Sequence, residues 1–178
     1  MINPAEEIVN IWLQDVQGHF TIANIHVPAP HRLVKGKMIH GGSGPEVDFL
    51  STDGNGSYVW TEVQVSFNPY VPTIDRAMSI NVKEAADKFA PMKLEHLRET
   101  YGIQISKKWF VYSPTMFPKR RPETEDAYRR LLAQKDIEAI SFGRVYSEVM
   151  KKQIRRGYDI ARQWIYLFQH VADSRMKP

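Results

Sequence analysis

Residues 45–64, Pro-Glu-Val-Asp-Phe-Leu-Ser-Thr-Asp-Gly-Asn-Gly-Ser-Tyr-Val-Trp-Thr-Glu-Val-Gln, constrain the fold more than any other stretch. Two runs that alternate apolar and polar side chains flank Asp53-Gly54-Asn55-Gly56, whose residues tolerate positive φ, so the pattern predicts a strand, a tight turn and a second strand. In the first strand Val47, Phe49 and Ser51 are expected on one face and Glu46, Asp48 and Leu50 on the other. In the second, Val59, Thr61, Val63 and Val65 alternate with Trp60, Glu62, Gln64 and Ser66. Pairing of the two strands sets Asp48 beside Glu62. Two carboxylates among valines and aromatics repel each other and lose hydration, so a positive partner is expected between them. A magnesium or manganese ion meets that need, since magnesium takes oxygen ligands and is commonly held by one or two carboxylates together with substrate phosphates. The competing reading of the same string is a surface hairpin with alternating polar residues.

The pattern Glu46-Val47-Asp48-Phe49-Leu50, a hairpin turn, then Glu62-Val63-Gln64 resembles the PD-(D/E)XK nuclease superfamily. Its signature is an acidic residue at the end of one strand and an acidic-x-lysine triplet on the next. Asp48 matches the first acid and Glu62 the second, whereas Gln64 stands where the family usually has lysine. Lysine can steady an attacking hydroxide or a developing negative charge, while a neutral amide can only orient water. In the Holliday-junction resolvase-like members a glutamate about three turns before a helix-ending glycine reaches the metal. Glu7 matches by its distance from Gly18, with Glu6 as the neighbouring rival.

The resemblance implies a restriction endonuclease-like α/β fold, a mixed β-sheet flanked by helices, over residues 3–113, with a basic α/β extension at 114–178 that adds C-terminal helices. It implies a magnesium-dependent DNA endonuclease in which Asp48 and Glu62 hold the metal, Glu7 assists and Gln64 orients water. The alternative, from another class, is a DNA-binding or assembly module that keeps the fold without cleavage.

Local signals order the rest of the chain. Asn3-Pro4 followed by Glu6 and Glu7 predicts a helix start, with Ile8, Ile11, Trp12 and Val16 as its apolar stripe and Gly18 as its end. Residues 19–27 alternate as a strand, Phe20 and Ile22 against Thr21, Ala23 and Ile25. Residues 28–44, rich in Pro and Gly and carrying Lys35 and Lys37, read as a long irregular loop, either a flap over DNA phosphates or a plain insertion. Helical patterns follow at 82–90 and 91–101, the second with Leu94, Leu97 and Tyr101 inward and Gly102 as its stop. Trp109-Phe110-Val111-Tyr112 suits a strand buried on both faces. Beyond it come a basic loop at Lys119-Arg120-Arg121 and a helix from Pro122. A strand is expected at 137–142 and a helix at 144–155 bearing Lys151 and Lys152. The final helical stripe of Ala161, Trp164, Ile165, Phe168 and Val171 suits the core or a homodimer surface.

Charge divides along the chain: residues 1–100 hold 8 Lys and Arg against 12 Asp and Glu, and residues 101–178 hold 16 against 8. Such a division suits a polyanion held by one part and attacked at another, and basic residues that merely solubilise helices would produce it too. Lys35, Lys37, Lys119, Arg120, Arg121, Lys151 and Lys152 are the expected phosphate contacts. The length of 178 residues favours a single domain. Zero cysteines remove disulfides, thiolate nucleophiles and cysteine-ligated zinc. With no run of 18 apolar residues and no basic-then-apolar leader, a cytoplasmic protein without a membrane partner is the default expectation.

Overall fold

The computed structural model describes residues 3–28, 32–34, 37–39, 46–65, 76–117, 122–152, 161–163 and 165. Asn3 caps α1 (Pro4–Ile11) by accepting from the Ala5 backbone N–H, with Pro4 in the first turn and Glu6 and Glu7 at the positive end of the helix dipole. The coil then widens into a π-helical turn over Trp12–Val16, and Gly18 adopts a φ of 73° to leave it. Among the described residues seven strands follow in chain order: β1 (Phe20–His26), β2 (Arg32–Val34), β3 (Lys37–Ile39), β4 (Glu46–Thr52), β5 (Tyr58–Gln64), β6 (Ile105–Tyr112) and β7 (Glu138–Ser141). Between them lie α2 (Arg76–Lys88), α3 (Pro91–Tyr101) and α4 (Pro122–Ala133), and α5 (Phe142–Lys151) comes after β7.

The main sheet has the order β1-β4-β5-β6-β7. Its first three strands pair antiparallel and its last two join in parallel, so the molecule is α/β with a mixed sheet. The parallel joint follows from the chain: α2 and α3 carry it from the end of β5 back to the start of β6, as a parallel pairing requires. Helices cover both faces. On one, Leu50, Trp60, Phe110 and Tyr112 pack with Val82, Ala85 and Phe89 of α2 and its exit, Leu97 of α3, and Tyr128 and Leu132 of α4. On the other, Phe49, Val59, Val63, Trp109 and Val111 pack with Val9, Trp12 and Leu13, and with Val145 and Val149 of α5. A 2.7 Å hydrogen bond from Trp12 Nε1 to Glu148 Oε2 ties the π-helical turn after α1 to α5 across that second layer.

Several expectations need correction. The loop at 28–44 contains a small antiparallel hairpin, β2 with β3. The β1 alternation leaves open which of its faces turns inward, and Phe20 and Ile22 stand 75% and 56% exposed. Tyr101 is 55% exposed at the end of α3, while Leu97 alone of that expected trio is fully buried. β6 begins at Ile105, four residues earlier than its apolar run suggests, since pairing with β5 orders the polar Ser106, Lys107 and Lys108 as well. Of the C-terminal stripe, Ile165 is buried in the second-face core and Ala161 packs against it; Trp164, Phe168 and Val171 lie outside the described residues.

Candidate functional site

The hairpin forms as the alternation predicts, with Phe49 opposite Thr61, Leu50 opposite Trp60, Ser51 opposite Val59 and Thr52 opposite Tyr58. Its turn is built by Asp53, whose side chain accepts from the Asn55 backbone at 2.9 Å, with Gly54 and Gly56 at φ of 90° and 80°. The ladder does not run the full length of both strands. Beyond Phe49 the Asp48 carboxylate, in place of a main-chain carbonyl, accepts the Val63 N–H at 2.7 Å. Beyond this point Val47 belongs to the core on the Leu50 side and not with Phe49, as strict alternation would have had it. β5 remains paired to β6 as far as Gln64 opposite Tyr112, so β4 alone diverges. Asp48 sits, partly exposed, where the two strands part.

Glu62 lies behind it with 1% of its surface exposed, on the same face as Trp60. Its Oε1 accepts from Trp60 Nε1 at 2.7 Å and from Lys93 Nζ at 3.3 Å, and Lys88 Nζ stands 3.6 Å from Oε2. Burial first, and the neighbouring Asp48 charge second, push the Glu62 carboxyl up to about 7, against the pull of Lys93, Trp60 and Lys88. Lys93 is itself 4% exposed, donates to the Glu46 carbonyl at 2.6 Å and lies 5.4 Å from the centre of the Trp60 ring. Lys88, by contrast, keeps 31% of its side chain exposed.

Both lysines escape a reading of the sequence. Lys93 left one trace, its position four residues before the fully buried Leu97, which places both on the inner face of α3. The carboxylate that justifies a cation there is 31 residues away in sequence.

Glu6 and Glu7 both line a cavity beside α1. Glu6 is tied electrostatically to Asp48: burial first, then the Asp48 charge, raise its carboxyl above the ordinary range, while its Oε1 accepts from Asn3 at 3.0 Å. Gln64 ends β5, half-buried, on the Glu62 face. The structure thus brings together Asp48, Glu62, Glu6, Lys88 and Lys93. Among the expected phosphate contacts, Lys37 lies in β3, and Lys151 and Lys152 are exposed at the end of α5. Lys35, Lys119, Arg120 and Arg121 lie outside the described residues.

Among the described residues no three His, Cys, Asp or Glu side chains converge as a metal-holding group. The Asp48 and Glu62 carboxylates, which feel each other's charge, are hard oxygen ligands of the kind magnesium uses in pairs with water and phosphate completing its shell, so the chemistry of the donor set fits that ion. Lys88 competes for Glu62 Oε2 and would have to yield it. Also among the described residues, no helix is long and apolar enough to cross a membrane. Comparison of the chain with protein-family profiles, with curated proteins and with solved structures finds no match.

Proposed function

We propose that the chain is a magnesium- or manganese-dependent phosphodiesterase that hydrolyses the DNA backbone, on a restriction endonuclease-like arrangement of its sheet. The observation that carries this reading is the juxtaposition of Asp48, at the parting of two strands, with a buried Glu62 whose carboxyl titrates near neutrality. Perturbed carboxylates of this kind concentrate at functional sites. Asp48 and Glu62 would hold the ion, which when bound lowers the pKa of its water and neutralises charge on the phosphate.

The chain's own residues supply the rest. Gln64, at the end of β5 two residues from Glu62, would orient the attacking water. Lys88, partly exposed beside Glu62, takes the part that the lysine missing at position 64 would have played, presenting its ammonium to the negative charge that develops on the phosphate. Lys93 is too deeply enclosed to touch a substrate and acts by keeping Glu62 aimed. Glu6, and Glu7 one residue on, complete the acidic rim. Lys35, Lys37, Lys119, Arg120, Arg121, Lys151 and Lys152 would contact phosphates away from the reacting one.

The two ammonium groups already set against Glu62, with no three-acid group among the described residues, favour a second reading, a DNA-binding module whose site is neutralised by lysines and does not cleave. One assay separates the two. Plasmid, branched and single-stranded DNA are incubated with magnesium or manganese across pH 5.5–8.5, against a chelator control. Cleavage should appear, rise with pH through about 7 as Glu62 ionises to accept the metal, and vanish in Asp48→Asn. DNA binding without nicking in either metal assigns the protein to the second reading.

A further inference from the structure

Next to the acidic site, between α1 and the β1–β4 edge of the sheet, lies a cavity of about 270 Å³. Buried Ile11 and Phe49 give it an apolar base, and exposed Ala23 and Asn24 border its mouth. Its remaining walls are amides and carboxylates: Asn10, Gln14, Glu6 and Glu7. Arg162 also reaches it, but its guanidinium is committed to Asp15 and, at 2.8 Å, to Gln14 Oε1.

The volume falls just under the roughly 300–1,000 Å³ of pockets that enclose drug-sized ligands, which leaves room for one planar ring system. Charge narrows the occupant further. Two carboxylates repel a phosphate and accept N–H donors, so a neutral heterocycle carrying an amino group is favoured over an anion.

Position links this cavity to the Asp48–Glu62 site. Phe49, in its base, is the residue after Asp48. Asn24, at its mouth, falls opposite Asp48, between the pairs Ala23 with Phe49 and Ile25 with Val47, and adopts a φ of 55° there. Glu6 lines the cavity and also feels the Asp48 charge.

We propose that this cavity receives a single unstacked nucleobase bearing an exocyclic amino group, swung out of the strand whose phosphate lies at Asp48. The proposal rests on the nucleic-acid reading above and names its substrate class: DNA with a base already free of its partner, in a bulge, a mismatch or a single strand. Extrusion costs least for such a base, which makes its presence the basis of selection. The apolar base of the cavity takes the ring, and the Glu6 and Glu7 carboxylates accept from the amino group, as acidic side chains do from the N4 of cytosine.

Equilibrium binding in chelator, where no strand is cut, tests this with three duplexes: fully paired, with one bulged cytosine and with one bulged thymine. The bulged-cytosine duplex should bind about tenfold more tightly than either of the others, the ratio expected for one good base contact. Ala23→Trp, a change at an exposed position of an edge strand that fills the cavity mouth, should erase that preference and leave affinity for the paired duplex unchanged. Equal affinity of the parent for all three duplexes, or a preference that survives Ala23→Trp, overturns the base pocket while leaving the nuclease reading standing. Failure to bind any DNA removes the nucleic-acid reading and the pocket with it.

Discussion

Two buried polar constellations occupy neighbouring strands on the same face of the sheet, and they solve the problem of burial in opposite ways. On β6, Tyr112 is fully buried as a neutral phenol, donating to Glu125 Oε1 at 2.5 Å and accepting from Arg129 Nε at 2.7 Å. The charged pair that serves it, Glu125 with Arg129 at 2.9 Å, remains partly in solvent one helical turn apart on α4. Burial pushes the phenol further above its ordinary range, so it stays neutral between pH 5.5 and 8.5. On β5 the charges themselves are inside: Glu62 and Lys93 are both almost without exposed surface. A neutral group with charges outside costs little to bury, whereas an ion pair inside loses hydration that its mutual attraction only partly restores. The Tyr112 arrangement suits a structural joint, and the Glu62 arrangement suits a site kept ready for another charge.

The largest effect expected from this contrast comes from Lys93→Met. Removing the buried ammonium leaves Glu62 with only the partly exposed Lys88 as its counter-charge and should cost about 3 kcal/mol in urea denaturation at pH 8.5. The cost should shrink at pH 5.5, because Glu62 can there take up a proton. The sign follows from its raised carboxyl: between the unfolded value near 4.5 and the folded value of about 7 the folded state binds the extra proton, so stability is greatest at the acid end and falls as pH rises through that window. A cost independent of pH would mean that Glu62 does not titrate there and would break the comparison.

Tyr112→Phe supplies the opposite case. It deletes one hydroxyl and leaves Glu125 and Arg129 paired with each other, so roughly 1–2 kcal/mol should be lost, equally at pH 5.5 and 8.5. A loss that varies strongly with pH would show that charge, not a neutral hydrogen bond, holds that joint.

The smallest effect sharpens the comparison at the metal site. Asp48→Asn retains an oxygen that can accept the Val63 N–H and removes the charge that helps raise Glu62. In chelator it should stabilise the protein by about 1 kcal/mol at pH 8 and hardly at all at pH 5, where Glu62 is neutral. Millimolar magnesium should then raise the melting temperature of the parent and not of the variant, since only a ligand that prefers the folded state stabilises it. Marked destabilisation in chelator, with no magnesium effect on either protein, would make Asp48 a structural acid.

Much of the architecture was legible in local pattern. The Asn3 cap, the hairpin turn at Asp53-Gly54-Asn55-Gly56, the division of β5 into a Trp60-Glu62 face and a Val59-Val63 face, and the doubly buried Trp109–Tyr112 run all emerge as expected. Each depends on neighbours within a few residues, where helical and strand periodicities act. The mixed character of the sheet could be anticipated from the same order of elements, because antiparallel hairpins and helical crossovers leave few ways to join it.

What the chain by itself did not disclose lies where two distant segments meet. The parting of β4 from β5 at Asp48 carries Val47 to the opposite face, and no periodicity within β4 marks that point. Glu6 feels the Asp48 charge, although the two are 42 residues apart in sequence, because α1 packs over the sheet through Val9, Ile11 and the adjoining Trp12. Lys88 and Lys93 look like ordinary helix-surface residues until α2 and α3 fold back over β5 and place both ammonium groups on one carboxylate. The sequence alone determined which residues alternate, cap and turn, since those are properties of short-range geometry. Only the tertiary structure decided which charges share a low-dielectric space, because Coulomb interaction and desolvation depend on distances in space that separation along the chain does not encode.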